Sequence, residues 1–261
     1  MVSIRNRIER NDLLRLRLRS MQVATDKFPE RIRASTIASY FYCGWKSYAT
    51  AMLGMKMPEK EWMQLGTVLH DQLFDMLGKR FPWEETFIEA VDKYRKDDLG
   101  FVRRVGSTDV FADVTGHPDD FEVLPGGMVS IIEYKTTRMP LYLAKRFIVP
   151  VAEFQSQIYA YILEPTLESL GYSMSDKHAV LIYSSQSLAE SFAMPNPKVP
   201  PPIFHRIVNY SREFTEQKIL EVFGYYRDPS KIQRCASWKC KYCSKPFKDM
   251  CPLGKLPAPL S

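Results

Sequence analysis

The sequence predicts an α/β domain with a mixed sheet flanked by helices. Three observations predict it. Apolar residues at spacings of three and four mark helices. Short β-prone runs mark strands, and two of these runs flank Pro125-Gly126-Gly127 in the manner of a hairpin. Helical and strand patterns also alternate along the chain instead of segregating.

The elements follow in order. Residues 1–34 read as a basic arm, with Leu and Arg alternating from Leu14 to Arg19, a short strand or a solvated surface arm. Ser35 is a good N-cap and predicts a helix carrying Tyr40, Cys43 and Tyr48. Trp62, Leu65, Leu69, Leu73 and Met76 fall on one helical face and predict a helix over 59–77. The mixed, charged stretch 86–104 yields no assignment. Residues 110–114 predict a strand, and 121–124 with 128–134 predict the hairpin. A helix is predicted over 151–170, broken by Pro165. Strands over 179–184 and 204–209 flank a loop with five prolines at 195–202, and a last helix over 212–226 leads into a cysteine-rich tail. The predicted organisation is a basic arm (1–34), a core (35–234) and a tail (235–261).

The 261 residues suit one domain plus a small appendage. Hydrophobic residues at 45% and charged residues at 25% exclude a disordered tail protein, a collagen and a coiled coil. The formal charge of +6 permits a nucleic-acid partner without requiring one. No apolar run approaches the ~18 residues of a membrane span, so no membrane partner is expected. The start, IRNRIERNDLLRLRLRS, has no apolar h-region, so an intracellular, cytoplasmic location is expected, in a prokaryotic cell or a virus-infected host.

The segment richest in chemistry joins Gly116-His117-Pro118-Asp119-Asp120 to Ile131-Ile132-Glu133-Tyr134-Lys135-Thr136-Thr137. On a strand, Glu133 and Lys135 point to the same face. Asp119 enters across the hairpin, so two carboxylates and an ammonium converge. Oxygen ligands of this kind hold Mg²⁺ or Mn²⁺, which activates water for phosphodiester hydrolysis, and a lysine beside them offsets developing charge. On an exposed strand face Glu-X-Lys is usually a solvated cross-strand pair. Against that, Ile131 and Ile132 make the strand look buried on both faces, where a charged pair needs a reason. Gly66 and His70 share a helix face, which makes His70 a candidate third ligand or a core histidine. Gln157 with Tyr161, and Gln155 with Tyr159, each lie four apart beside the stripe of Phe154, Ile158 and Ile162. Either pair offers donors to a phosphate or to water.

Four of the five cysteines crowd into 235–251. Cys240 and Cys243 form a C-x₂-C knuckle and Cys251 follows after seven residues. In a chain without an export signal this spacing reads as a site for Zn²⁺ or an iron–sulfur cluster. The fourth ligand is Cys235, giving a local knuckle, or Cys43, tying the tail to the N-terminal helix.

The order of these features resembles the RecB-like branch of the PD-(D/E)XK nucleases. More narrowly it is similar to the iron–sulfur members: CRISPR-adaptation exonucleases of the Cas-four type and the AddB nuclease module. The resemblance covers about residues 35–252. It implies a restriction-endonuclease-like core, a mixed central sheet flanked by helices, with a cysteine region formed by both ends of the chain. It implies that His70, Asp119, Glu133 and the Tyr134 carbonyl are metal ligands and that Lys135 is the catalytic lysine. Gln157 and Tyr161 would be the Gln-Tyr motif, with Gln155 competing for the glutamine role. Cys43, Cys240, Cys243 and Cys251 would hold a 4Fe–4S cluster, leaving Cys235 spare, with Zn²⁺ as the alternative. The implied activity is Mg²⁺- or Mn²⁺-dependent DNA cleavage, on single-stranded DNA or splayed ends. The setting would be CRISPR adaptation, recombination or repair, with a protein partner in such a complex. Two other expectations stand beside it: a catalytically silent DNA-binding subunit, and a zinc-knuckle adaptor.

Overall fold

The computed structural model describes residues 28–56, 61–77, 82–107, 109–232, 240 and 243–251. Residues 1–27 of the basic arm, residues 59–60 of the second expected helix, and Cys235 lie outside the described residues.

The architecture is α/β, with mixed sheets flanked by helices. Among the described residues the strands form two sheets. The smaller one joins β1 (Arg31–Arg33), β3 (Val110–Gly116) and β2 (Phe101–Ser107) in that order, with β1 parallel and β2 antiparallel to β3. The larger runs β4 (Asp120–Leu124), β5 (Met128–Thr137), β7 (Lys177–Ser184) and β8 (Phe204–Asn209), and the two-residue β6 (Ser173–Met174) pairs with the start of β5. The hairpin over Pro125-Gly126-Gly127 forms as expected. Gly127 N donates to Leu124 O at 3.3 Å, and Gly126 takes φ 83° at the position where a turn with Pro before it requires positive φ. Strand β5 pairs antiparallel with β4 and parallel with β7, so it is central.

Helix α1 (Ala34–Ala38) follows β1 directly and packs on the core. The helix expected from Ser35 does not run on through Cys43. After α1 the chain makes a single 3₁₀ turn (Ser39–Phe41) and restarts as α2 (Gly44–Met52), with Cys43 extended at its N-cap. The restart brings Gly44 under Ile232, so close that a Cβ would sit 2.7 Å from the Ile232 side chain. Helix α3 (Glu61–Leu77) and helix α4 (Pro82–Asp92) follow, and α4 together with β2 occupies the stretch that had no assignment.

The helix after β5 differs from expectation at both ends and in the middle. A short helix α5 (Leu141–Phe147) precedes it, and α6 runs from Val149 to Ser169 without a break at Pro165. Proline lacks the N–H that the carbonyl four residues earlier needs, here that of Tyr161. Arg103 of β2 replaces it: its guanidinium donates to Tyr161 O at 2.5 Å, stacks 3.7 Å over the Tyr161 ring and pairs with Glu164 at 3.4 Å. The proline's missing donor is thus supplied from a neighbouring strand, and the helix continues.

Helix α6 lies on one face of β5, where Val129 and Ile131 join Phe154, Ile158 and Ile162 in the main core. On the other face Ile132 and Tyr134 pack with Leu69 and Leu73 of α3 and with Leu188 of α7 (Ser185–Phe192). Helix α8 (Arg212–Arg227) packs against α6 and α2, and α9 (Lys245–Met250) closes the described tail. Trp45 Nε1 of α2 donates to Phe247 O of α9 at 3.3 Å, and Phe247 is fully buried.

Candidate active site

Strand β4 begins at Asp120, opposite Ile132. Beyond Ile132 no strand among the described residues lies on this edge of β5, and the turn before β4 places Asp119 there. Asp119 Oδ2 accepts from Tyr134 N at 2.8 Å. The N–H and C=O of one strand residue point to the same edge, so the Tyr134 carbonyl faces the same space. Asp120 does a different job. Its Oδ1 accepts from Phe121 N at 2.7 Å and its Oδ2 from the Tyr134 hydroxyl at 2.9 Å, which pins that ring. From α3, His70 Nε2 comes within 3.4 Å of Asp119 Oδ2. Glu133 and Lys135 share the β5 face toward α6, and the Lys135 ammonium is bonded to Glu133 Oε1. Glu133 is 0% exposed, and among the described residues no donor reaches its Oε2, which faces the Asp119 carboxyl. The structure therefore brings His70, Asp119, Glu133, Tyr134 and Lys135 to one place.

Their charges are strongly interdependent. Burial, then the Asp119 charge, pushes the Glu133 carboxyl up to about 8, against the pull of Lys135. Burial would raise Asp119 too, but the hydrogen bond with His70 and the Lys135 charge hold it below the usual carboxylate range. Burial works against the Lys135 ammonium, yet the charges of Glu133 and Asp119 raise its pKa above the ordinary value.

A buried carboxylate oxygen without a partner costs free energy, and a cation at Glu133 Oε2 removes the cost. The donors around it are hard: two carboxylates and a backbone carbonyl. Among the described residues no group of three or more His, Cys, Asp and Glu side chains closes around a metal position. The donor set fits Mg²⁺ or Mn²⁺ in the form Mg²⁺ favours, one or two carboxylates with water completing the octahedron. It does not form a full protein cage.

The Gln-Tyr pair differs from expectation. Gln157 Nε2 donates to Asn209 O at 2.9 Å, on the β8 side, and Tyr161 lies under Arg103. Gln155 and Tyr159 stand beside the carboxylates instead. Gln155 Nε2 donates to the Tyr159 hydroxyl oxygen at 2.6 Å, and burial followed by the charges of Glu133 and Asp119 pushes the Tyr159 phenol well above its ordinary pKa. The Tyr159 ring fits only because residue 116 is glycine, where a Cβ would lie 2.4 Å from Tyr159 Cε1. Both pairs flank the same apolar stripe, so periodicity alone could not choose between them. The glycine before His117 was the one sequence signal for Tyr159. Arg33 of β1, also absent from the sequence-derived site, bears on the Tyr159 phenol by its charge.

The cysteine region is a separate place in the molecule. Cys43, Cys240, Cys243 and Cys251 are all half-buried. Burial, then the neighbouring Cys43, then Cys240, raise the Cys243 thiol pKa, while Lys46 and Lys248 lower it. Thiols from both ends of the described chain are therefore electrostatic neighbours at the contact between α2 and the tail.

No protein-family model matches the chain, and no curated protein matches it. Among solved structures it is similar to the crystal structure of SSO0001, with 17% identity and a TM-score of 0.46 over 96% of this chain and 97% of that one. No helix among the described residues is long and apolar enough to cross a membrane.

Proposed function

We propose that the chain is a metal-dependent DNA nuclease with a PD-(D/E)XK-type core. The observation that carries this reading is the fully buried Glu133 carboxylate, with one oxygen on Lys135 and the other unpartnered beside Asp119, at the open edge of a central strand. A structural ion pair has no use for the second carboxylate or for the unpartnered oxygen.

Asp119, Glu133 and the Tyr134 carbonyl would hold Mg²⁺ or Mn²⁺, with His70 beside Asp119. Such an ion, when bound, supplies charge neutralisation at the phosphodiester and lowers the pKa of water. Tyr134 N and His70 orient Asp119. Lys135 favours the ionised form of Glu133 against burial and the Asp119 charge, orients the attacking water and offsets negative charge on the phosphate as it is attacked. Tyr159, held by Gln155, would bring its phenol within electrostatic reach of the same carboxylates. The substrate, single-stranded DNA or splayed ends, and the setting in CRISPR adaptation or recombination with a protein partner follow from the resemblance. Cys43, Cys240, Cys243 and Cys251 would hold a structural 4Fe–4S cluster, or Zn²⁺, that fastens the tail to α2.

The test uses anaerobically purified protein with end-labelled single- and double-stranded DNA in EDTA, Mg²⁺ or Mn²⁺, beside Lys135→Ala. The reading expects cleavage that needs metal and is absent in the variant. Full metal-dependent cleavage by Lys135→Ala or Glu133→Ala would falsify the site assignment. DNA binding without cleavage by the wild type would point to the silent subunit. A colourless anaerobic preparation would favour zinc.

A further inference from the structure

The carboxyl ends of the parallel strands β5 and β7 open into a crevice of about 700 Å³. Thr137, which continues the Glu133–Lys135 face, lies about 7 Å beyond Lys135 at the strand's rise per residue. Thr137, Arg138 and Leu141 line one wall, and Ser184, Ser185 and Gln186 the other. The lining holds one cation, Arg138, and among the described residues no Asp or Glu. Helix α7 begins in this wall. Among the described residues the Ser184 hydroxyl accepts the N–H of Ser187, at 3.3 Å, and caps no other N–H at the head of the helix, the end of a helix that favours an anion. Glu190, further along α7, is engaged by Gln186 at 2.9 Å.

Helix α5 begins at the crevice, with Leu141 in the lining. Tyr142 is 71% exposed, the most exposed large hydrophobic side chain among the described residues. Lys145 and Arg146 sit three and four residues on, hence on the same helix face. Lys145 lies 5.3 Å over the ring of Phe204, whose neighbour Ile203 also lines the crevice. An exposed aromatic ring beside cations that have no ion pair among the described residues, next to a crevice of mixed apolar and polar lining without carboxylates, is complementary to a chain of phosphates carrying unstacked bases. A duplex hides the faces of its bases and has no use for the ring.

We propose that this crevice, with Tyr142, Lys145 and Arg146 at its rim, holds a single strand of DNA next to the scissile phosphodiester, with phosphates against Arg138 and the head of α7 and a base stacked on Tyr142. The proposal rests on the nuclease reading and adds a strand path and the residues that would line it.

The test measures fluorescence anisotropy of a labelled single-stranded oligonucleotide, and of its duplex, in EDTA, so that no cleavage intervenes. Tyr142→Ala is expected to weaken single-strand binding by roughly fivefold or more, as loss of one base–aromatic stack does, while leaving duplex binding within about twofold. Tyr142→Phe keeps the ring and is expected to bind as the wild type does. Arg138→Glu is expected to weaken the single strand and to lower its salt dependence by about one phosphate contact. Arg104→Glu, on the smaller sheet and 63% exposed at its side chain, should do neither. The strand path is overturned if the wild type binds no oligonucleotide, if Tyr142→Ala binds as the wild type, if it weakens duplex and single strand equally, or if Arg104→Glu matches Arg138→Glu. The nuclease reading is separated by the metal-dependent cleavage of the wild type. Cleavage with unaltered binding by the variants overturns only the path, whereas selective binding losses without any cleavage support the crevice and overturn only the nuclease.

Discussion

The carboxylate site and the cysteine region are assembled in opposite ways. At the first, Asp119, Glu133, Tyr134 and Lys135 come from one hairpin, and a single hydrogen bond, Tyr134 N to Asp119 Oδ2 at 2.8 Å, sets their spacing. At the second, Cys43 and Cys243 lie at opposite ends of the described chain. They meet because Trp45 bonds to Phe247 and Ile232 packs over Gly44. A short hairpin closes its loop at small entropic cost, whereas a closure over most of the chain must be held by tertiary packing or by a ligand. The carboxylate hairpin therefore has a scaffold that needs no ion, whereas under the proposed function the cysteine region would depend on the metal or cluster its thiols hold.

The largest contrast lies between Lys135→Ala and Cys43→Ser. Under the proposed function, Lys135→Ala lowers the cleavage rate by about two orders of magnitude or more, the scale of a lost charge stabiliser, while thermal unfolding stays cooperative. Cys43→Ser does the reverse: it removes the visible absorption of an iron–sulfur cluster and lowers the melting temperature far more than Lys135→Ala. Equal melting temperatures in the two variants would break the comparison.

A second test exploits the Glu133 carboxyl, which burial and Asp119 raise from 4.5 to about 8. A raised carboxyl pKa means the folded, metal-free protein prefers the protonated group. That contribution to stability is complete below about 4.5 and is lost as pH rises through about 8. In EDTA the melting temperature should fall by several degrees across this window in the wild type and less in Glu133→Gln. Mg²⁺ should cancel the fall only in the wild type. A Mg²⁺ effect of the same size in both proteins would show that the ion acts elsewhere.

Arg103→Ala removes the donor for the Tyr161 carbonyl, and an unsatisfied buried carbonyl costs about 1–3 kcal/mol. Chemical denaturation should show a loss of that size, and the loss should shrink in a Pro165→Ala background, where the backbone N–H returns. Additive losses in the double variant would mean that Arg103 acts through Glu164 and the Tyr161 ring and not through the Tyr161 carbonyl. The smallest expected effect is that of Tyr159→Phe, which should slow cleavage about fivefold, as loss of a hydrogen bond worth ~1 kcal/mol does. Tyr161→Phe should leave cleavage unchanged. Rates in the opposite order would return the Gln-Tyr role to Gln157 and Tyr161.

The α/β class, the hairpin with its Pro-Gly-Gly turn, and the convergence of Asp119 with Glu133 and Lys135 were legible in the sequence because each depends on local rules. Side chains alternate on a strand, helical faces repeat every three to four residues, and turns need particular residues. The region 86–104, the helices α5 and α7 and the interrupted start of α2 were not legible, being short or weakly patterned and stabilised mainly by what they pack against.

The sequence by itself determined that two Gln-Tyr pairs flank the stripe of Phe154, Ile158 and Ile162, and that a proline lies within that helix. Only the tertiary structure decided that Gln155 and Tyr159, rather than Gln157 and Tyr161, meet the carboxylates. The reason is rotational: two faces adjoin one apolar stripe, and the rotation of α6 on the sheet selects between them. Gly116 admits the Tyr159 ring on one side, while Arg103 claims Tyr161 and the carbonyl that Pro165 leaves open on the other.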